Sequence, residues 1–148
     1  MDAIDRRILA ILAHNSRTSL RRMAQELGMP HTTVHSRLKK LEAAGVIRRY
    51  TVDIDYSVLG YDVTALINVS VEGSLIEDVE RRVSEISNVI AVYDVTGEFD
   101  IVLVARFRGI GELDRFIKWL NKLPGVRRTL TSIAFRVVKE DPVSLLEA

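Results

Sequence analysis

The apolar residues of this chain change period once, and that change limits what it can become. Up to about residue 45 they recur at helical spacing, and from Val63 they alternate. A chain of 148 residues with this layout reads as a small helical module followed by a mixed strand-and-helix module. Charge divides at the same place. Residues 1–50 hold 10 Lys and Arg against 4 Asp and Glu, for +6, and the remainder holds 11 against 16, for −5. A basic piece joined to an acidic one suggests that one half meets a polyanion while the other does something else.

Several classes drop out at once. The chain contains no cysteine, which excludes a disulfide framework, a thiolate nucleophile and a cysteine-ligated metal. No apolar run approaches the roughly 20 residues of a membrane-spanning helix. The opening Met1-Asp2-Ala3-Ile4-Asp5 lacks the basic-then-apolar pattern of a secretory signal. A soluble, cytoplasmic chain without a membrane partner is expected.

The basic half reads as three helices. Ile4, Ile8, Ile11 and Leu12 stripe the first, with Asp2 and Asp5 where the helix dipole favours anions. Ser19 is a candidate cap for the second, striped by Leu20, Met23, Ala24 and Leu27 and ended by Gly28-Met29-Pro30. The third runs from about His31 to Ala44 and stops at Gly45. Two helices joined by a short Gly-containing turn make a helix-turn-helix.

On the third helix Val34, Leu38 and Leu41 fall within a wedge of about 60°, the expected buried side. Opposite them lie Thr32, Ser36, Lys39 and Ala43, flanked by Thr33, His35 and Lys40, with no carboxylate until Glu42. Solvated faces usually mix both signs of charge, and this one does not. Hydroxyls and an imidazole there suit base edges in a DNA major groove, and the lysines suit phosphates. Arg21 and Arg22 stand in the first turn of the second helix, where the dipole disfavours cations; a phosphate backbone crossing that end would turn the cost into binding. Arg48 and Arg49 open a β-rich stretch, Val46 to Ile54, read as a wing or a linking strand. His31 and His35 have the i, i+4 spacing of zinc ligands but lack a Glu between them, and His14 is the only other histidine. No metal is expected.

The acidic half reads β-α-β-β-α-β, the split βαβ arrangement of ferredoxin-like folds. The expected strands are Val63 to Val71, Val89 to Thr96, Ile101 to Phe107 and Arg127 to Val138. One helix is expected to be capped by Ser74 and striped by Ile76, Val79, Val83 and Ile86; the other buries Leu113, Phe116, Ile117 and Leu120. Both helices cover one sheet face, so the other needs a cover, and a second copy of the chain would supply it. The turn Thr96-Gly97-Glu98-Phe99-Asp100 has two readings. Its carboxylates and free N–H groups could hold a zwitterion, or it is a polar hairpin turn of ordinary composition.

As a set, these residues resemble the Lrp/AsnC family, the feast/famine transcriptional regulators. Asp2-x-x-Asp5-x-x-Ile8-Leu9 is similar to the family's opening helix. Leu27-Gly28-Met29, with Thr32-x-Val34-x-x-Arg37-Leu38-x-x-Leu41-Glu42-x-x-Gly45-Val46-Ile47, resembles its turn and recognition helix. Thr96-Gly97-x-x-Asp100 and Leu123-Pro124-Gly125-Val126 resemble landmarks of its regulatory domain. One departure is Pro30, where the family often has Ser.

The resemblance implies an α+β chain, with a winged helix-turn-helix domain at residues 1–50 and a linker strand or hinge at 51–61. A ferredoxin-like βαββαβ domain for effector binding and oligomerisation would span 62–140, with a tail at 141–148. It implies a homodimer, assembled into an octamer or other higher oligomer, on pseudo-palindromic double-stranded DNA. It further implies an amino acid or similar small effector in place of any cofactor. Carried over, DNA contacts fall to Arg21, Arg22, Thr32, Thr33, His35, Ser36, Lys39 and Lys40. Effector contacts fall to Gly97, Glu98, Phe99 and Asp100 and, across an interface, to Thr129, Thr131 and Ser132. The expectation is a sequence-specific regulator and not an enzyme. Two alternatives are a siroheme-decarboxylase-like enzyme, disfavoured because all three histidines sit in the basic half, and an architectural DNA-binding protein without strong sequence preference.

Overall fold

A computed structural model describes residues 1–146, which divide into two units: 1–53 with 139–146, and 54–138. In the first unit, α1 (Ala3–His14) starts at a reciprocal cap. The Asp2 carboxylate accepts the N–H groups of Ile4 and Asp5 at 2.9 Å each, and the Asp5 carboxylate accepts that of Asp2 at 2.9 Å. As expected, Ser19 caps α2 (Leu20–Leu27), its Oγ accepting the Arg22 N–H at 3.2 Å. The recognition-type helix α3 (His31–Ala43) has no side-chain cap, because Pro30 occupies the cap position. Ile8, Leu12, Met23, Ala24, Val34, Leu38 and Leu41 form the core of this unit. Its polar fastener is Arg37, whose guanidinium reaches Asp2 at 2.7 Å and Asp5 at 2.9 Å, joining α3 to the start of α1. A short 3-10 turn, Ser144–Leu146, packs against α1.

The wing or linking strand expected from Val46 onward does not form: among the described residues no strand precedes Val63. The composition of that stretch favours a strand, but a strand needs a neighbour to bond to, and no other strand pairs with it.

In the second unit the strands β1 (Val63–Val71), β2 (Val89–Asp94), β3 (Ile101–Phe107) and β4 (Val126–Ile133) form one antiparallel sheet ordered β2-β3-β1-β4. Helices α4 (Ile76–Ser84) and α5 (Ile110–Asn121) supply Val79, Val83, Leu113, Phe116 and Leu120 to a core shared with Ala65, Ile67, Val69, Ile101 and Leu103. The order is the expected ferredoxin-like one. Residues 55–61 fold as turns onto the end of β3. There Arg106 lies over the Tyr56 ring at 5.0 Å and Arg108 over the Tyr61 ring at 4.5 Å.

Three expectations need correcting. Ser74 does not cap α4: it lies in a 3-10 turn, Gly73–Leu75, and its hydroxyl turns back toward Glu72 at 3.5 Å. The second strand ends at Asp94 and not at Thr96, because the chain turns there toward the 96–100 loop. The fourth ends at Ile133 and not at Val138, since β1, its only neighbour among the described residues, begins at Val63 and offers residues 135–138 no partner. Gly125 explains one landmark: its φ is +91°, and an added Cβ would stand 2.7 Å from the Leu75 Cβ. The tight α5-to-β4 turn beneath Leu75 therefore requires glycine.

Candidate nucleic-acid interface and effector site

In the helical unit, burial of Val34, Leu38 and Leu41 turns the opposite face of α3 outward. Thr32, His35, Ser36, Lys39 and Lys40 are exposed and Thr33 is half-buried. An open groove of about 740 Å³ runs beside this face, lined by Thr32, Thr33, Ser36, Arg37 and Lys40 and by Asp2 and Asp5. The one nearby acid on the helix is occupied: the Tyr50 hydroxyl donates to Glu42 at 2.8 Å, and Lys39 reaches Glu42 at 3.3 Å. These partners, Tyr50 first, hold the Glu42 carboxyl below its usual range, and burial plus Glu42 pushes Tyr50 up to about 12. Lys39 is thus partly neutralised, while Lys40 faces the groove.

At the start of α2, Arg21 is exposed, while Arg22 is paired with Glu26 at 3.1 Å. The hydrogen bonds of the α1 cap, then Arg37, hold Asp2 down to about 2, and the same two causes lower Asp5. The two acids nearest the groove therefore stay ionised and committed to Arg37. Among the described residues, no three His, Cys, Asp or Glu side chains gather as a metal site.

In the sheet unit the turn 96–100 leaves β2 and enters β3. Gly97 takes φ +110°, which glycine adopts at least cost, and has nothing within 4 Å of where a Cβ would sit. Asp100 Oδ2 accepts the Val71 N–H at 2.7 Å, and the Asp100 N–H donates to the Val69 carbonyl at 3.0 Å. This carboxylate holds the turn to the end of β1. Glu98 pairs with Arg128 of β4 at 2.6 Å, and the Arg128 guanidinium lies 4.8 Å over the Phe99 ring.

The other strand-borne candidates are dispersed. Thr129 and Thr131 lie opposite Val69 and Ile67, on the helix-covered side, and the Thr129 hydroxyl is hydrogen-bonded to Asn121 at 3.2 Å. Ser132 lies opposite Leu66, on the other side. Among the described residues, no hydrogen bond or ion pair joins these three to the turn. The structure thus gathers Glu98 and Phe99 around Arg128, which sequence reasoning missed. Glu98 and Arg128 stand 30 positions apart, and no periodicity ties them together.

The sheet's uncovered face carries Leu66, Val102, Val104, Tyr93 and Leu130, with Leu66, Tyr93 and Leu130 exposed at 41%, 56% and 54%. No helix among the described residues is long and apolar enough to cross a membrane.

Comparison with known proteins gives these two sites a context. Residues 64–144 match the Lrp/AsnC ligand binding domain, and residues 1–48 match the winged helix-turn-helix DNA-binding family. An uncharacterised HTH-type transcriptional regulator of Pyrococcus horikoshii is 43% identical over 141 residues, covering 95% of each chain. The HTH-type transcriptional regulator FL11 of the same organism is 33% identical, covering 95% of this chain and 93% of that one. The transcriptional regulator NMB0573 of Neisseria meningitidis, solved as a complex with L-Met, superposes with a TM-score of 0.90 at 26% identity, covering 99% of both chains. Escherichia coli AsnC superposes with a TM-score of 0.88 at 26% identity, covering 95% of each. The two Pyrococcus relatives and the Neisseria protein are named as transcriptional regulators, not as enzymes. With both domain types in order along nearly its whole length, the chain belongs to the Lrp/AsnC family of transcriptional regulators.

Proposed function

We propose that this regulator reads a specific operator through the outward face of α3 and responds to a small amino acid held at the 96–100 turn. Thr32, Thr33, His35 and Ser36 meet base edges in the major groove, while Lys39, Lys40, Arg21 and Arg22 meet phosphates. The observation that carries this reading is the state of Glu42. It is the one acid on that side of α3, and it is already engaged by Tyr50 and Lys39, which leaves Lys40 without a carboxylate partner on the helix.

A second copy covers the apolar face around Leu66, Val104 and Leu130, giving two reading heads for a pseudo-palindromic site; octamers and other assemblies build on that dimer. Residues 1–50 form the reader, 62–140 the sensor and 51–61 the hinge. The L-Met complex of the Neisseria regulator supports an amino acid as the effector class. DNA as the partner makes the cytoplasm the working compartment.

Binding measured by fluorescence anisotropy across a salt series tests the reader. Lys40→Ala should weaken operator and random DNA alike and lower the slope of log affinity against log salt by about one unit. Thr32→Ala should instead cost about 1–3 kcal/mol on the operator alone, at one base pair. An unchanged slope for Lys40→Ala would remove the proposed docking.

A further inference from the structure

The 96–100 turn is fastened at two points by different means. On one side Asp100 is bonded through backbone groups to Val69 and Val71 of β1. On the other, among the described residues, the turn is held to β4 through the Arg128 side chain alone, by Glu98 and by the face of Phe99. The Glu98 and Arg128 side chains are 74% and 57% exposed, and an ion pair that open to water yields to a competitor. The β1–β4 ladder also slips by one residue between Ser70 and Val71, and Arg128 is the residue paired with Ser70 at that slip. Bulges of this kind re-aim side chains. The same irregularity therefore touches both fastenings, because Val71 donates to Asp100.

We propose that Arg128 is the residue that senses the effector, through an exchange of ion pairs. The carboxylate of a small zwitterion replaces Glu98 on the Arg128 guanidinium, and the zwitterion's ammonium takes the Glu98 carboxylate thus released. This rests on the placement of the effector site at this turn and adds a residue and a rule of selection to it. The selection follows from charge. The free site holds one cation and one anion that satisfy each other. A ligand with a carboxylate alone competes with Glu98 for Arg128, and one with an ammonium alone competes with Arg128 for Glu98. A zwitterion replaces one internal pair with two and leaves no charge unpaired.

Phe99 has a part as well. A guanidinium stacked on a ring keeps its plane fixed and its N–H edge free, which suits it to a carboxylate as a lysine would not be. Asp100 keeps its hold on Val71 throughout, so the exchange releases the turn from β4 while β1 serves as its pivot.

The test uses the full chain in calorimetric titrations with the twenty amino acids, each beside its α-amide and its 2-hydroxy acid. Wild-type protein should bind at least one amino acid and prefer it to both analogues. Arg128→Gln should weaken that amino acid by about tenfold or more, the usual scale for losing a charge-assisted pair, and tighten its amide, whose competitor for Glu98 is gone. Glu98→Gln should act in the same way on the 2-hydroxy acid, which should bind more tightly than to wild type because its competitor for Arg128 is gone. A structural role for the pair would not improve binding of any analogue. If no amino acid binds wild-type protein, the effector site itself is overturned and the exchange with it. If an amino acid binds and Arg128→Gln binds it equally well, only the exchange is overturned. Should Arg128→Gln fold poorly, the Glu98→Gln result decides alone, and an unimproved 2-hydroxy acid overturns the exchange.

Discussion

Among the described residues the helical unit buries seven side chains around Ile8, Met23 and Val34, whereas the sheet unit buries fourteen along its strands, its two helices and the turn after α5. One truncation therefore removes twice the share of the smaller core. The units also differ in how they use carboxylates. In the helical unit Asp2 and Asp5 are held ionised by N–H groups and by Arg37. In the sheet unit, burial and the neighbouring Asp94 carboxylate raise the pKa of Glu80 on α4, and its Oε1 is buried without a hydrogen-bond partner among the described residues. A unit with little core leans on charge at its chain start, and one with a large core tolerates a carboxyl group that would rather be neutral. The comparison teaches where each unit is fragile.

The largest expected effect breaks the comparison at the smaller core. Ile8 is fully buried, and Ile8→Ala should cost about 2–5 kcal/mol. The loss should fall on the helical unit, so hydrogen exchange should show amides of α1 to α3 exposed earlier while β1 and β3 keep their protection. Equal loss of protection in both units would show that they unfold as one.

How far sequence carried this picture depends on the range of the contact concerned. β1 was legible to the residue, because nine positions from Val63 to Val71 alternate and the sheet buries one set of them. The α3 faces were legible because Val34, Leu38 and Leu41 carry the only apolar stripe. The Ser74 cap was misread because a 3-10 turn intervenes and the hydroxyl faces Glu72, a local competition that composition does not rank. The 96–100 turn was legible as a site but not in its parts. Asp100 is a fastener to Val71, 29 positions away, and Arg128 completes the cluster from 30 positions beyond Glu98. Such pairings arise from sheet order and register, and spacing along the chain does not encode them.

A smaller effect sharpens the contrast in carboxylates. Because the fold favours the neutral form of Glu80, ionising it costs stability. That cost is absent below the ordinary Glu value near 4.5 and grows as pH rises through the raised value. Glu80→Gln stays neutral, so its thermal midpoint should match wild type at pH 4 and exceed it at pH 8. An offset equal at both pH values would mean that shape and not charge is responsible.

The smallest effect comes from the opposite sign in the helical unit. Asp2 is lowered from 3.8 to about 2, so its ionised form stabilises the fold. That contribution is complete above pH 3.8 and is lost as pH falls through about 2. Asp2→Asn keeps a side chain able to cap α1 and removes the charge facing Arg37. The variant should therefore melt slightly below wild type from pH 5 to 7, with a gap that narrows between pH 4 and 2. Salt should shrink the gap as well, because the pair is exposed and screened. Melting curves across that range, at low and high salt, separate the two parts of the α1 start. A gap that closes with acid belongs to the Asp2 charge, which the cap N–H groups and then Arg37 stabilise. The part of it that salt removes belongs to the ion pair with Arg37, and a gap that persists well below pH 2 belongs to the cap geometry. The first outcome would place the fragility of the helical unit in its charges, opposite in sign to that of the sheet unit.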